Sequence, residues 1–440
     1  MNHMPIPRDI PLPLPAGEYF LQGLLVLAFI AHIVFVNLMV GGSILVFAFE
    51  LRGRRQPDYD KLARALAETL TVNKSLAVVL GVAPLLLINV LYTIHFYTAN
   101  ALTGSAWILL IPTIATTFLL LYLHKYTWDR LAQLKGIHLA IQGFAVALLL
   151  FIPLVFLSNI NLMLFPERWT SIHGFWSAVA LDNVIPRYFH FLSASLILTS
   201  LFGVGYFGRA KFPIESTFET FDRPRLRREF YSIAFATSLA QYVIGPLVLF
   251  TLPTKGLHVS VVLAIATGAL VSLPAVWGIW KELAEPQPRG KRLPFIAAYL
   301  GIAVFCMATG RHMYRSVALS EHRSLMAKAT AKWADESAQA AYDLAQGYER
   351  PNAVADGRSL FEATCSGCHG IDHRIVGPPL TEIAKIYGSN PSGIVVWARA
   401  PGKKREGFPQ MPPFASLGDT KLGAIAKYMV EAGSGAGSAH

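Results

Sequence analysis

Seven stretches of this 440-residue chain carry no Asp, Glu, Lys or Arg: residues 19–49, 75–124, 136–166, 188–208, 230–254, 256–280 and 293–310. A helix needs about 20 mainly apolar residues to cross roughly 30 Å of hydrocarbon. The second stretch is long enough for two such helices, with a polar break at 100–105. The expected fold is therefore all-α, a polytopic membrane bundle of eight transmembrane helices over residues 1–315. Composition points the same way: 53% of residues are hydrophobic and 15% charged, with a mean hydropathy of +0.44. A soluble domain carries about 25% charged residues. Disordered, collagen-like and disulfide-rich classes are excluded, and a single soluble enzyme is a poor fit.

The net charge is +11. Its distribution is more informative than its sum. The loops at 50–74, 124–135, 209–229 and 281–292 hold 19 Lys and Arg, against four (Arg8, Arg168, Arg187 and Lys255) at the opposite ends of the spans. By the positive-inside rule the basic loops are cytoplasmic. Both termini then face the periplasm of a bacterial inner membrane. A basic sum arranged this way reports topology and membrane lipid, so no nucleic-acid partner is expected. No small-x-small cleavage site follows the first span, so that span is expected to be retained. Beyond the last span the chain becomes polar and Ala-rich at 316–352, read as a helical connector, and then enters a compact all-α domain at 353–440.

That domain carries Cys365-Ser366-Gly367-Cys368-His369. Two thiols at this spacing can form thioethers to both haem vinyls, and the adjacent histidine then lies under the iron. A second axial ligand must come from elsewhere, and a methionine raises the potential. Met411, in Phe408-Pro409-Gln410-Met411-Pro412-Pro413-Phe414, is the candidate, and Gly377-Pro378-Pro379-Leu380 would buttress the histidine. Together these residues resemble a class I monohaem cytochrome c. The domain is expected to hold one covalent haem c, bound by Cys365 and Cys368 and ligated by His369 and Met411. Haem is attached outside the cytoplasm, the side the charge count gives to this domain.

Ionisable residues inside spans are functional candidates by default, and histidine is the usual ligand of non-covalent haem. His190 begins span five, His258 begins span seven, His95 lies near the end of span two and His312 just past span eight. All four belong to the periplasmic side. His32 lies deeper in span one. These five are the expected haem b ligands. His124 and His138, at the basic ends of spans three and four, read as hydrated polar residues. Gly41-Gly42 would permit close approach of a helix or a haem. Cys306 reads as a packing residue. The cluster Lys403-Lys404-Arg405, ahead of Met411, reads as a solvated loop able to steer an acidic partner.

Over residues 18–315 the order and spacing of motifs resembles subunit I of cytochrome bd quinol oxidases. The resemblance is carried by Ala31-His32-Ile33-Val34-Phe35-Val36 in span one, Trp128-Asp129-Arg130-Leu131 after span three with His138 following, Pro186-Arg187-Tyr188-Phe189-His190 at span five, and Gly310-Arg311-His312-Met313-Tyr314 after span eight. It implies that His32 and His190 ligate haem b. The departures imply a different activity. Residues 105–122 contain no carboxylate, Ala308 stands where the family has a ligating glutamate, and the long quinol loop is reduced to 252–257. His258 stands near the family's methionine ligand, and His95 and His312 are additional. An oxygen-reducing site is lost and bis-histidine candidates are gained.

The favoured expectation is an electron-transfer subunit of a quinol:cytochrome c type membrane complex. Two b haems would exchange electrons with the quinone pool, and the c haem with a periplasmic cytochrome or redox enzyme. The loop 165–187, with Trp169, His173, Trp176 and Asp182, reads first as an interfacial aromatic belt and second as the place of a bound quinone, and further membrane subunits are an additional expectation. The alternatives are a bd-type terminal oxidase or other gas-reducing enzyme, and a membrane anchor whose only haem is in the c domain.

Overall fold

The computed structural model describes residues 4–9, 13–345, 357–403 and 406–435, with backbone only at 71–75 and 343–345. The protein is 78% helical, with no β-strand among the described residues. It divides into two compact units, Met1–Thr330 and Ala331–His440. The long helices that begin in the first unit are α1 (Glu18–Gly53), α2 (Pro57–Leu91), α3 (Thr93–Thr103), α4 (Leu110–Tyr126), α5 (Lys135–Met163), α6 (Val184–Gly208), α7 (Arg223–Phe250), α8 (Val259–Ala284) and α9 (Leu293–Ala345), the last of which runs past Thr330.

Six of them, α1 and α5 to α9, are long and apolar enough to cross a membrane by length and composition. Each of the eight expected spans corresponds to a helix, but two depart from a simple rod. The second is bent by 110° between Leu91 and Thr93, and the Thr93 hydroxyl donates to the Asn89 carbonyl beside the break. The third, α4, has 17 residues, about 25 Å at 1.5 Å per residue and just short of the hydrocarbon core. Ile111, Leu119, Phe250 and Leu270 are 66–82% exposed. Large apolar side chains spread over several helices in this way are covered by acyl chains, as in a membrane bundle. The last span does not stop near residue 315. It continues as one helix to Ala345, because 311–345 contains neither Gly nor Pro and is rich in Ala, Glu and Lys.

The helices α1 and α6 meet without an intervening side chain. A Cβ placed on Gly41 would lie 2.2 Å from the Ser195 carbonyl oxygen. The Ser195 hydroxyl donates to the Asn37 side-chain carbonyl at 2.9 Å, and the Thr199 hydroxyl to the Asn37 backbone carbonyl at 3.3 Å. The Gly41-Gly42 pair thus serves helix packing. Cys306 packs against Gly268 of α8, as a packing thiol does.

At the end of the bundle that holds the basic loops, many cations are structural. Arg64 grips Asp129 with two bonds of 2.6 and 2.9 Å, and Lys135 reaches Asp60 at 2.7 Å. Arg228 donates to the carbonyls of Leu283, Glu285 and Pro286, closing the C-terminus of α8. Asp58, 4% exposed at the start of α2, accepts from the backbone N–H groups of Glu219, Thr220 and Phe221 and from the Thr220 hydroxyl. Burial pushes its carboxyl up, but these donors together outweigh burial and hold it down at about 2. A carboxyl lowered on folding stabilises the protein above its unfolded pKa of about 4, and the contribution is lost as pH falls toward the folded value. The shift from 3.8 to about 2 corresponds to about 2 kcal/mol. Asp58→Asn is expected to lose that amount at pH 7, read as a lowered midpoint of thermal unfolding in detergent. The gap to wild type should narrow below about pH 4 and close as pH approaches about 2. A constant gap across that range would refute the cage.

Candidate functional site

In the second unit, α10 (Gly357–Thr364), α11 (Leu380–Tyr387), α12 (Ser392–Arg399) and α13 (Gly418–Gly433) surround a small core of Phe361, Leu380, Ile383, Ile394, Ile425 and Met429. The amphipathic spacing of Phe361, Ile383 and Ile425 in short helices packs these elements around one centre. Cys365 to His369 follow α10 as a turn: the Cys368 and His369 amides both donate to the Cys365 carbonyl, at 3.0 Å. The amides of Val376 and Gly377 return to the Cys368 carbonyl at 3.1 and 2.8 Å. His369 Nδ1 lies 2.8 Å from the Pro378 carbonyl, so it donates there and leaves Nε2 for a metal. A Cβ on Gly377 would sit 2.4 Å from His369 Cε1, so only glycine fits behind the ring. The expected buttress by the Gly-Pro-Pro-Leu segment is therefore a backbone one.

Burial, with Cys368 as a second cause, pushes the Cys365 thiol up to about 11. Met411 is half-buried in the irregular segment that precedes α13. The Phe414 amide anchors this segment to the Ala398 carbonyl at 2.8 Å, and the Gln410 side chain to the Pro401 carbonyl at 3.2 Å. Of the basic cluster, Lys404 and Arg405 lie outside the described residues.

Residues 352–429 match the family of cytochrome c oxidase, cbb3-type, subunit III. The C-terminal unit contains a cytochrome c domain, which implies a covalent haem c and a role in electron transfer. No curated protein matches the chain.

The five membrane histidines fall into two groups. His32, His190 and His312 each have a buried Nδ1 with no hydrogen-bond partner. His32 faces Gly81 of α2, where a Cβ would lie 2.8 Å from its ring. His190 sits in the second turn of α6, and its backbone carbonyl accepts from Gln241 Nε2 of α7 at 2.9 Å. His95 and His258 are engaged. His95 Nε2 is 2.9 Å from Nδ1 of His322, whose Nε2 is 2.8 Å from the Pro5 carbonyl. This chain is satisfied by neutral rings, each donating from Nε2. His258 is exposed and caps α8, its Nδ1 bonded to the Ser260 hydroxyl at 2.9 Å.

Arginines that sequence reasoning left aside stand beside the orphaned rings. Arg187 is one turn before His190, Arg311 adjoins His312, and Arg315 is one turn beyond. Arg311 is repelled by both Arg187 and Arg315, so the three lie close together. None has a carboxylate partner among the described residues, and Arg187 Nη1 is buried with no partner at all. Arg311 lies over the Phe29 ring at 4.8 Å, three residues before His32. Arg315 is buried and Arg187 and Arg311 are partly buried, and guanidinium groups without carboxylate partners beside bare imidazole nitrogens suit an anionic group that also takes nitrogen ligands. Haem, with its two propionates, is such a group. Trp169 of the expected quinone loop is buried and donates to the Leu162 carbonyl at 3.1 Å, while His173 and Trp176 are exposed. A cleft of about 500 Å³ lies between Trp169, Leu102 and the Ile6-Pro7 segment.

Sequence reasoning missed His322, which takes up His95. It also missed Glu50, treated only as the edge of a basic loop. Glu50, His124 and His138 meet in a buried cluster at the far end of the bundle. The signal in the sequence was an acidic residue directly adjoining an apolar run of 31 residues.

Proposed function

We propose that the chain is a membrane-bound electron-transfer subunit of a quinol:cytochrome c type complex. Electrons would pass between the quinone pool and the c domain, and from there to a periplasmic cytochrome or redox enzyme. The observation that carries this is the pairing of three orphaned imidazole nitrogens with uncompensated arginines in a chain that ends in a cytochrome c domain. Haem, when bound, supplies a reversible one-electron carrier. In the c domain Cys365 and Cys368 tether it, His369 ligates through Nε2 while Pro378 fixes its tautomer, and Met411 supplies the second ligand. In the membrane unit His32, His190 and His312 are the nominated b-haem ligands, and Arg187, Arg311 and Arg315 neutralise propionate charge. His95 and His258 would each first have to give up a hydrogen bond, so they rank behind. The cleft beside Trp169 is the nominated quinone position. A bacterial inner membrane, with the c domain on the periplasmic side, and further membrane subunits belong to the same proposal.

A pyridine haemochrome assay on the purified chain tests it, with reduced-minus-oxidised and carbon monoxide difference spectra. The expected result is about two b haems per c haem, full reduction by a quinol, and little response to carbon monoxide. A c haem alone would reduce the membrane unit to an anchor. A large carbon monoxide shift would return the gas-reducing alternative.

A further inference from the structure

The three residues at the opposite end of the bundle from the arginines have no part in that proposal. Glu50 ends the apolar stretch of α1, His124 stands in the last turn of α4 and His138 in the first turn of α5. All three are at most 1% exposed. One donor atom from each lies within 4.8 Å of the others. Glu50 Oε2 is 2.7 Å from His124 Nε2, and Glu50 Oε1 contacts His138 Nδ1. The two imidazoles stack, with centroids 4.0 Å apart and planes at 27°, and the Trp128 ring meets both edge-on. Rings this close leave no room for a macrocycle between them, so this is no haem site.

The hydrogen positions decide what the cluster needs. His138 Nε2 is 2.8 Å from the His124 backbone carbonyl, which only accepts, so Nε2 carries a proton. His138 Nδ1 faces a carboxylate oxygen as well. Lys135 Nζ is 3.6 Å from Glu50 Oε1 and is itself drawn 2.7 Å from Asp60. A divalent ion can bind where the Glu50 carboxylate, His124 Nε2 and His138 Nδ1 converge, the touching nitrogen and oxygen atoms moving apart to the spacing of two ligands on one ion. Glu50 stays ionised, both imidazoles stay neutral, and His138 donates its remote N–H to a carbonyl, the outer bond that orients a ligating histidine.

We infer that Glu50, His124 and His138 bind a divalent zinc-class ion that fastens α1, α4 and α5 together at the basic end of the bundle. Two imidazoles and one carboxylate form a ligand set suited to Zn²⁺. Three protein ligands leave a fourth position for water, and because they come from three helices the ion would tie those helices together. It is independent of the electron-transfer proposal, since haem enters no part of the argument.

The experiment is elemental analysis of the full-length chain, purified in detergent after incubation with Zn²⁺ and gel filtration, with covalent haem as the internal standard. One zinc per c haem is expected for wild type. At least a tenfold drop is expected in Glu50→Gln and in His138→Ala, with c haem content unchanged. Wild type holding less than a tenth of an equivalent, or variants holding as much as wild type, would overturn the inference. Should the variants not accumulate in the membrane, zinc-edge X-ray absorption of wild type decides. It should show nitrogen and oxygen neighbours at about 2.0–2.2 Å, with imidazole scattering beyond. A sulfur shell, or one without imidazole, would overturn it.

Discussion

A chain carrying Cys365→Ser and Cys368→Ser together is expected to lose its covalent haem outright. Haem staining of the 48.3 kDa band on a denaturing gel should disappear, a fall of at least tenfold. The reason is chemical: a serine hydroxyl cannot form the thioether, whereas its size is close to that of the thiol it replaces. The non-covalent b-haem spectrum should persist, because its proposed ligands belong to the separate unit Met1–Thr330. Reduction of the b haems by quinol should therefore survive, while transfer to a soluble acceptor cytochrome should fall to background. Undiminished staining would show that these cysteines are not the attachment site. Undiminished transfer would show that electrons leave the chain without the c domain.

His190→Ala should remove one of the two b haems and leave covalent haem untouched, so the b-to-c ratio falls by about half. His190 has a buried ring nitrogen without a partner, and Arg187 one turn earlier has a buried N–H in the same condition. Such unmet groups are costly in a bundle interior and are met when a ligand arrives. Exogenous imidazole should restore part of the lost spectrum, which a purely structural role would not allow. His258→Ala serves as the contrast. Its ring caps α8 from an exposed position, so both b haems should remain. Loss of the same haem in the two variants would instead make His258 the partner ligand. An unchanged ratio in His190→Ala would remove His190 from the set.

The bundle and the c domain were legible in the sequence because each rests on a local signal. Uncharged runs such as 136–166 can only be satisfied by helices in lipid, and the attachment motif packs its chemistry into five consecutive residues. Features that depend on partners far along the chain were not legible. The fate of His95 is decided by His322, 227 residues away. The Glu50 cluster joins residues separated by 74 and 88 positions. Arg187 looked like one of four stray cations in a topology count, and its meaning emerged only beside Arg311 and Arg315. The break between Leu91 and Thr93 likewise interrupts a run that hydropathy alone treats as continuous.

The close seam between α1 and α6 has a consequence for rates. His32 precedes Gly41 on one helix and His190 precedes Ser195 on the other, so the backbone contact lies about two and a half turns from the first and about one and a half from the second. Because no side chain separates the two backbones there, neither helix can slide or roll without collision. Electron tunnelling falls exponentially with distance, and small drifts between carriers change it by large factors. If haems are held at His32 and His190 as proposed, a seam that cannot slip would give them a constant separation, and with it a constant rate.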